Sequence, residues 1–392
     1  AVAAGAVACN YLGVAELRRD SGRLAGACVV DRLHGASFAI VARQVVNATG
    51  PWLDHIRRLD DPAAAPVLRL TKGVHILLPR DRVGNAHAIV LRAPRDGRVM
   101  FAIPWDEQIL VGTTDTDYEG MPEAVVAEAD DVRYLLDAVN HYFPAARLAE
   151  RDVIGAYAGL RPLVAPLGAM SPSETSREEE IFESSSGLLS LGGGKLTTYR
   201  RVAERVVDRV VARLRVCDPE RRFGPCRTAV TPLPGAAVKI PEGGGFGGFA
   251  KRVRASAPPA LDDAVVRHLL DRYGTEAPEV MALLGADPHA AGRLLETLPY
   301  RRGEATRAAA TEMAATVDDT LRRRVPIAFR DRAGGLAIAA EVAALMRAVL
   351  GWDAEETARA LDAYREGIAS ERVRRGADAA EPEANVNRRR RA

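Results

Sequence analysis

A strand, a run of three glycines and a helix follow one another within residues 188–214. Three consecutive glycines, residues 192–194, let a ligand approach the backbone closely. The helix that follows offers unpaired N–H groups and the positive end of its dipole. Lys195 adds a full positive charge there, and Thr197 and Thr198 add hydroxyls. We therefore predict an anion-binding turn, although glycine-rich turns of this kind also occur for tight packing alone.

Composition restricts the class of protein. The chain has 392 residues, 47% of them apolar and 27% charged, which is ordinary for a globular protein of two or three domains. Basic and acidic residues number 54 and 52, and this balance argues against a nucleic-acid binder. The four cysteines show no metal-ligand spacing and fit a reducing, cytoplasmic setting, so we predict no metal site. No apolar stretch is long enough to span a membrane.

Short apolar runs separated by turn residues predict β structure in the first 120 residues. Runs 24–30, 38–41 and 45–46 come first, and Pro51 stands where a helix begins. A second group of short strands is predicted at 67–70, 74–78, 88–91, 99–104 and 109–113, with Asp96-Gly97 as a hairpin turn. A helix is predicted over 128–143, with one apolar face formed by Val132, Leu135, Leu136, Val139 and Phe143.

The second half of the sequence changes from strands to helices. Strands are predicted at 153–163, 180–183 and 188–191, and the helix after the glycines carries an apolar stripe of Val202, Val206, Val207, Val210 and Leu214. Residues 217–260, rich in proline and glycine, predict a linker. A second glycine run within them, 243–248, matches G-x-G-x-x-G but lacks a preceding strand, so we interpret it as a loop. The pattern is helical from Leu261, with Asp353 and Glu356 as a capping box, and the tail from 377 is predicted to be disordered.

Other candidate residues each have a functional and a structural interpretation. Thr49 and Gly50 close a strand with small residues, which suits a loop over a cofactor but also many ordinary α/β turns. His75 lies in a strand with Gly73 on the same face, and it can accept a proton near neutral pH or serve as a core histidine. Arg161 lies in an otherwise apolar strand and needs an anionic partner, for which a structural carboxylate and a substrate phosphate are equally suitable.

Together these segments resemble the FAD-dependent glycerol-3-phosphate dehydrogenases. Six motifs occur in the same order: VVNATGPW (45–52), TKGVHILLPR (71–80), DGRVMFAIPW (96–105), VGTTDT (111–116), AGLRPL (158–163) and GGGKLTTYR (192–200). The resemblance implies an α/β (α+β) fold. It consists of the remainder of a flavin-binding Rossmann-like domain, an inserted mixed β-sheet substrate domain and an all-α C-terminal domain. We assign 1–60 and 151–216 to the flavin domain, 61–150 to the sheet, 217–260 to the linker, 261–376 to the helical domain and 377–392 to the tail.

The resemblance also implies a reaction and its residues. The family oxidises sn-glycerol 3-phosphate to dihydroxyacetone phosphate: a hydride leaves carbon 2 for FAD, a base takes the hydroxyl proton, and quinone at the membrane receives the electrons. By resemblance, Arg161 and Lys195 bind the substrate phosphate or polarise its oxygens, and His75 is the candidate base. The residues implied to contact FAD are Thr49, Gly50, Gly193, Gly194, Lys195, Leu196, Thr197 and Thr198. A peripheral contact with the inner face of the cell membrane and a homodimer are compatible with this assignment.

One feature of that family has no counterpart in the sequence. The family begins with a strand, a G-x-G-x-x-G loop and a helix that hold the FAD pyrophosphate, and no credible copy exists in these residues. We therefore expect a chain that lacks the N-terminal part of the flavin domain and that binds FAD poorly by itself. Two alternatives stay open: a glycerol-3-phosphate oxidase that passes electrons to oxygen, and a non-catalytic fragment.

Overall fold

Strands dominate the first half of the chain and helices the second. The computed structural model describes residues 1–165, 178–236 and 244–376, so the predicted tail and part of the predicted linker lie outside the described residues. The strands are β1 (Leu12–Asp20), β2 (Arg23–Asp31), β3 (Ser37–Val41), β4 (Val46–Asn47), β5 (Leu68–Pro79), β6 (Ile89–Arg92), β7 (Val99–Trp105), β8 (Gln108–Gly112), β9 (Thr116–Asp117), β10 (Gly155–Val164), β11 (Glu180–Glu183) and β12 (Leu189–Gly192).

The helices confirm the predicted mixed α/β architecture with a helical C-terminal part. They are α1 (Leu53–Asp60), α2 (Arg80–Val83), α3 (Ala129–Tyr142), α4 (Tyr199–Cys217), α5 (Gly245–Ala255), α6 (Asp263–Tyr273), α7 (Ala277–Ala286), α8 (Pro288–Ala291), α9 (Arg302–Thr311), α10 (Ile327–Arg330), α11 (Ala339–Leu350) and α12 (Ala354–Arg374). The predicted capping box is present at Asp353 and Glu356, where α12 begins. None of the helices in the described ranges is long and apolar enough to cross a bilayer.

Helix α5 lies within residues 217–260, for which the sequence predicted a linker rich in proline and glycine. Its first turn is rich in glycine, which is a poor helix former. Because of this composition, the short apolar stripe of the helix was not recognised in the sequence. Val253 is buried against the neighbouring helices, with Phe249 and Ala250 beside it. The described part of this glycine run leads into a helix at Gly245, so the prediction of a loop is wrong from that residue onward.

The first of two compact units comprises Ala1–Gly73, Asp115–Val125 and Gly159–Leu233. It contains the antiparallel sheet β1-β2-β3 and the sheet β11-β12-β4, in which β12 and β4 run parallel. Its core includes Leu17, Leu24, Ile56 and Leu188. Strand β1 has no counterpart among the predicted runs, because two register shifts in its pairing with β2 break the alternation that predicts a strand.

The second unit comprises Val74–Thr114, Val126–Ala158 and the described residues from Pro234 onward. Strands β8, β7 and β6 continue the sheet from the second half of β5, and all three registers are antiparallel, where a mixed sheet was predicted. Helix α3 buries the predicted apolar face against this sheet, with Leu135 and Val139 fully buried. The turn between β6 and β7 uses the predicted Gly97, at φ 71°.

Strand β5 is a single strand of twelve residues, where two short strands were predicted. The sequence suggested a break at 71–73, because a lysine and a glycine interrupt the apolar run. In the structure Thr71 and Lys72 are buried and pair with β9, so the backbone continues through them without a turn. The consequence is that Gly73 and His75 belong to one strand.

Helix α4 follows the predicted glycine turn, but its buried stripe is narrower than predicted. Val202 and Val206 are buried, whereas Val207 is 54% exposed. The valines at 206 and 207 are adjacent, so they point about 100° apart on a helix and cannot both face the same core. The stripe therefore follows positions four residues apart.

We predict that Gly155→Ala destabilises the second unit. A Cβ atom at residue 155 would lie 2.2 Å from the carbonyl oxygen of Phe329, and backbone cannot yield as a flexible side chain can. We expect the thermal midpoint of this unit to fall by about 2–8 °C. Gly159→Ala on the same strand is the matched control, because its Cβ would have no atom within 4 Å. Equal midpoints for the two variants would contradict the close approach of β10 to Phe329.

Candidate functional site

The two loops with predicted cofactor residues leave the same edge of a parallel strand pair. Strand β4 pairs with β12 through Val46 opposite Leu189 and Asn47 opposite Ser190. Because the strands are parallel, the loop that begins at residue 48 and the loop that begins at residue 193 both start at carboxyl ends. In α/β proteins, ligands bind outside the carboxyl ends of parallel strands. Thr49 and Gly50 lie in the first loop, and residues 193–198 form the second.

Asn47 shapes the first loop. Its side chain is buried, and its amide nitrogen donates to the carbonyl oxygen of Leu53 at 3.0 Å and to the hydroxyl of Ser190 at 3.2 Å. Its side-chain oxygen accepts from the hydroxyl of Thr49 at 2.7 Å. Gly50 has a φ of 58°, with open space where a Cβ atom would lie. Asn47 thus ties the loop to both strands and leaves Thr49 exposed at the edge.

Packing explains part of the glycine run. A Cβ atom at Gly193 would lie 2.4 Å from the carbonyl oxygen of Glu178, and the φ of 71° also favours glycine. Gly194 has a φ of 89° but only an ordinary contact, at 3.5 Å from Glu179. Tight packing against Glu178 therefore explains the glycine at residue 193. At residue 194 only the backbone conformation favours glycine.

The residues after the glycines are exposed. Lys195, Leu196, Thr197 and Thr198 all have exposed side chains, and Leu196 to Thr198 form a single 3-10 turn before α4 begins. The hydroxyl and the backbone N–H of Thr198 both donate to the carbonyl oxygen of Lys195, at 3.1 and 3.0 Å. Within the described ranges the Lys195 ammonium group takes part in no ion pair, so its charge faces solvent.

A cavity of about 1050 Å³ in the first unit is lined by Thr49, by residues of α1 and by the segments 66–70 and 117–123. The indole nitrogen of Trp52 donates to the carboxylate of Glu123 at 3.1 Å on its wall. On another wall, the guanidinium group of Arg69 binds both carboxylate oxygens of Asp117 at 2.6 Å, and this hydrogen bonding lowers the pKa of Asp117. The lining therefore includes charged side chains, of which Arg69, Asp117 and Glu123 are held by these hydrogen bonds.

Arg161 has a structural carboxylate as a partner. Its Nη1 atom lies 3.1 Å from Oδ1 of Asp115, whose side chain is 6% exposed, whereas the arginine side chain is 28% exposed. The guanidinium group crosses the backbone of Gly73, where a Cβ atom would lie 2.5 Å from Nη2. The carboxylate is thus buried behind a cation that is partly open to solvent.

His75 lies on β5 between two neighbouring strands. Gly112 on β8 is its register partner, and a Cβ atom there would lie 2.1 Å from the imidazole ring. On the other side, the ring of Tyr157 on β10 stacks on the imidazole, with centroids 5.1 Å apart and planes 14° apart. His75 belongs to the second unit, whereas Arg161, Lys195 and Thr49 belong to the first.

Three residues that support the candidates were not identified from the sequence. Asn47 carries a local signal, because asparagine at a strand end commonly bonds to the nearby backbone. Asp115 and Tyr157 carry none, because they lie 46 and 82 residues from Arg161 and His75. Only the paired strands bring such distant residues into contact.

Known protein families match most of the chain. The family described as FAD dependent oxidoreductase matches residues 1–200, and the family described as C-terminal domain of alpha-glycerophosphate oxidase matches residues 226–357. Glycerol-3-phosphate dehydrogenase 2 of Mycobacterium tuberculosis is 36% identical over 370 residues, which cover 94% of this chain and 60% of that protein. Aerobic glycerol-3-phosphate dehydrogenase of Staphylococcus aureus is 38% identical over 259 residues, 65% of this chain and 45% of that protein.

A solved structure has the same fold over nearly the whole chain. The glycerol-3-phosphate dehydrogenase from Bacillus halodurans, solved in complex with FAD, superposes with a TM-score of 0.80 at 33% identity. The match covers 94% of this chain and 70% of that one. This chain therefore shares its fold with a protein of known structure, although it spans only 60% of its Mycobacterium relative.

We predict that two alanine substitutions move the candidate side chains. Gly73→Ala pushes the Arg161 guanidinium aside and Gly112→Ala pushes the His75 imidazole aside, each by about 1 Å or more, because the new methyl group needs ordinary contact distance. Crystal structures of the variants measure both displacements. Gly159→Ala is the control and should move neither side chain, because its Cβ would have no atom within 4 Å. Unmoved side chains in the first two variants would show that the glycines do not make room for them.

Proposed function

The chain belongs to the family of FAD-dependent glycerol-3-phosphate dehydrogenases, and from this premise we propose that it oxidises sn-glycerol 3-phosphate to dihydroxyacetone phosphate. When bound, FAD supplies the hydride acceptor. The observation that carries the proposal is the shared edge of β4 and β12, from which both candidate cofactor loops leave. That edge joins small residues, an exposed lysine and exposed hydroxyls, which suits an anionic cofactor.

The proposed FAD contacts come from the two loops. Thr49 and Gly50 would line one part of the cofactor site, which is supported by the cavity of about 1050 Å³ that Thr49 borders and by the size typical of small-molecule sites. Gly193, Gly194, Leu196, Thr197 and Thr198 would offer backbone N–H groups and hydroxyls. Lys195 would stabilise the negative charge that develops on the cofactor as it is reduced.

Arg161 is the proposed ligand of the substrate phosphate. An arginine binds phosphate through parallel N–H donors, and it does so best when its side chain is already oriented. The bond to Asp115 at 3.1 Å and the contact with Gly73 hold the guanidinium group in one orientation, and 28% of the side chain stays exposed for an incoming anion.

His75 is the proposed base that accepts the proton of the substrate hydroxyl. Imidazole accepts protons at neutral pH, and the proton and the hydride leave the same H–C–O–H unit as it becomes a carbonyl group. His75 and Gly73 are two residues apart on β5, so their positions lie on the same face of one strand.

Quinone is the proposed final acceptor, with a peripheral membrane contact, and a homodimer is the proposed assembly. The description of the family matched at residues 226–357, alpha-glycerophosphate oxidase, favours a second candidate in which oxygen is the acceptor. The two differ in one product. Peroxide formed with glycerol 3-phosphate in the absence of quinone would support the oxidase.

We predict that Lys195→Ala weakens FAD binding by about tenfold, because it removes a charge at an anion-binding loop. Titration of the purified chain with FAD, followed by quenching of flavin fluorescence, measures the affinity. Lys251→Ala is the matched control: Lys251 is exposed on α5, outside both loops, and its loss should leave the affinity unchanged. If the unmodified chain binds no FAD, the proposal fails in favour of the non-catalytic fragment.

We predict that Arg161→Ala raises the KM for glycerol 3-phosphate by an amount equivalent to about 2–5 kcal/mol, because a desolvated charge pair is lost. Steady-state kinetics with glycerol 3-phosphate and with glycerol, which has no phosphate, separate the effects. Turnover of glycerol should stay unchanged, and Arg161→Lys should restore part of the affinity for the phosphate ester. An equal loss of activity with both compounds would contradict a role of Arg161 in phosphate binding. Arg161 would then be only a structural partner of Asp115.

A further inference from the structure

Tyr157 and Gly112 enclose His75 from opposite sides. Strand β5 lies between β8 and β10 in the sheet, so a side chain on β5 meets one neighbour from each strand. Gly112 on β8 leaves the imidazole in contact with backbone, and Tyr157 on β10 covers it with an aromatic ring at 5.1 Å. The imidazole is thus half-buried between the backbone of Gly112 and the ring of Tyr157.

The stacking of Tyr157 is directional. The two ring planes differ by 14°, and offset stacking of this kind favours one orientation of the partner over others. Burial raises the pKa of the Tyr157 hydroxyl, so the ring carries no charge at neutral pH. A neutral ring constrains the angle of the imidazole without competing for its proton.

Phe329 fixes Tyr157 from the helical part of the same unit. The edge of one ring meets the other at 60°, with centroids 5.4 Å apart. Phe329 lies in the short helix α10, and the start of β10 passes directly against its backbone at Gly155. The position of Phe329 therefore sets the position of Tyr157 through both ring contact and backbone contact.

Phe329 is itself held by a charged cluster. The guanidinium group of Arg322 lies 5.4 Å above its ring, a cation–π distance. Arg322 pairs with Asp318 at 2.6 Å and with Glu371 of α12 at 3.0 Å. A continuous set of contacts thus leads from α12 through Arg322, Phe329 and Tyr157 to His75.

We propose that Tyr157 is a positioning residue for His75 and that the helical part of the chain, through Phe329, holds Tyr157 in place. The inference deepens the proposed function, because it rests on His75 as the base of the reaction. It assigns a role in catalysis to helices that carry no candidate catalytic residue. Tyr157 acts through its ring, so the hydroxyl is dispensable.

Nuclear magnetic resonance of the chain with ¹³C-labelled histidine tests the stack without a cofactor. The His75 signal is identified by its loss in His75→Asn. We expect the stacked ring to shift the His75 carbon-bound protons upfield, Tyr157→Leu to abolish that shift and Tyr157→Phe to retain it. Phe329→Leu should reduce it, whereas Phe246→Leu on α5 should leave it unchanged. Tyr157→Met is the second variant without a ring, for use if the leucine variant does not fold.

Two other histidines serve as internal references. His268 packs edge-on against Tyr300 and His141 against Tyr142, so unchanged signals from both report an intact fold in each variant. A His75 signal that is identical in the unmodified chain, Tyr157→Leu and Tyr157→Met would overturn the inference. A loss of all the dispersed histidine signals in Phe329→Leu but not in Phe246→Leu would assign Phe329 to stability and overturn its part in positioning.

Rates of flavin reduction in the FAD-loaded protein separate this inference from the proposed function. We expect His75→Asn to slow reduction by about 10²–10⁴ and Tyr157→Leu to slow it by about 10–100-fold, with little change in KM and with recovery in Tyr157→Phe. A normal rate in His75→Asn would refute His75 as the base. A slow His75→Asn together with a normal Tyr157→Leu would refute the positioning role alone.

Discussion

Three glycines leave room for close contacts at the candidate sites, because a Cβ atom at any of them would clash with the neighbouring atoms. The guanidinium of Arg161, the imidazole of His75 and the backbone of Phe329 lie 2.5, 2.1 and 2.2 Å from where Cβ atoms of residues 73, 112 and 155 would lie. Two of the contacts join neighbouring strands, and the third joins β10 to helix α10. The three glycines thus determine where Arg161, His75 and helix α10 approach the strands, so both side chains depend on residues that carry no functional group themselves.

The helical part of the second unit is tied to the sheet by a buried arginine as well as by Phe329. The side chain of Arg330 is 3% exposed and binds Asp106, in the turn between β7 and β8, at 2.8 Å and the hydroxyl of Tyr300 at 2.9 Å. Its carbonyl oxygen accepts from the side-chain amide of Gln108 at 2.8 Å. Only the arginine is buried, since the Asp106 side chain is 58% exposed, but removing the partners of a buried charge is costly. Helix α10 is therefore held by two consecutive residues: Arg330 binds the β7–β8 turn, and Phe329 contacts Tyr157.

Local pattern predicted the elements well, because periodicity and turn residues are local. The paired strands, the apolar face of α3, the glycine turn and the helical second half all follow from it. The sequence did not reveal the contacts between residues that lie far apart in the chain, which are the carboxylate of Asp115 beside Arg161 and the ring of Tyr157 stacked on His75. Strand β1 and the continuity of β5 were missed for a related reason, since bulges in one and pairing with β9 in the other override local alternation. The motif resemblance identified the family, but it could not decide between a structural and a functional partner for Arg161.

The most direct test of the proposed reaction is the reduction of bound flavin by the substrate itself. The FAD-loaded chain is mixed without oxygen with sn-glycerol 3-phosphate, and the visible band of oxidised flavin is followed while dihydroxyacetone phosphate is assayed. We predict that the band bleaches with one product formed per flavin, and that glycerol at the same concentration leaves it unchanged on that timescale. A band that persists at saturating glycerol 3-phosphate, in protein whose flavin a chemical reductant still bleaches, would contradict it.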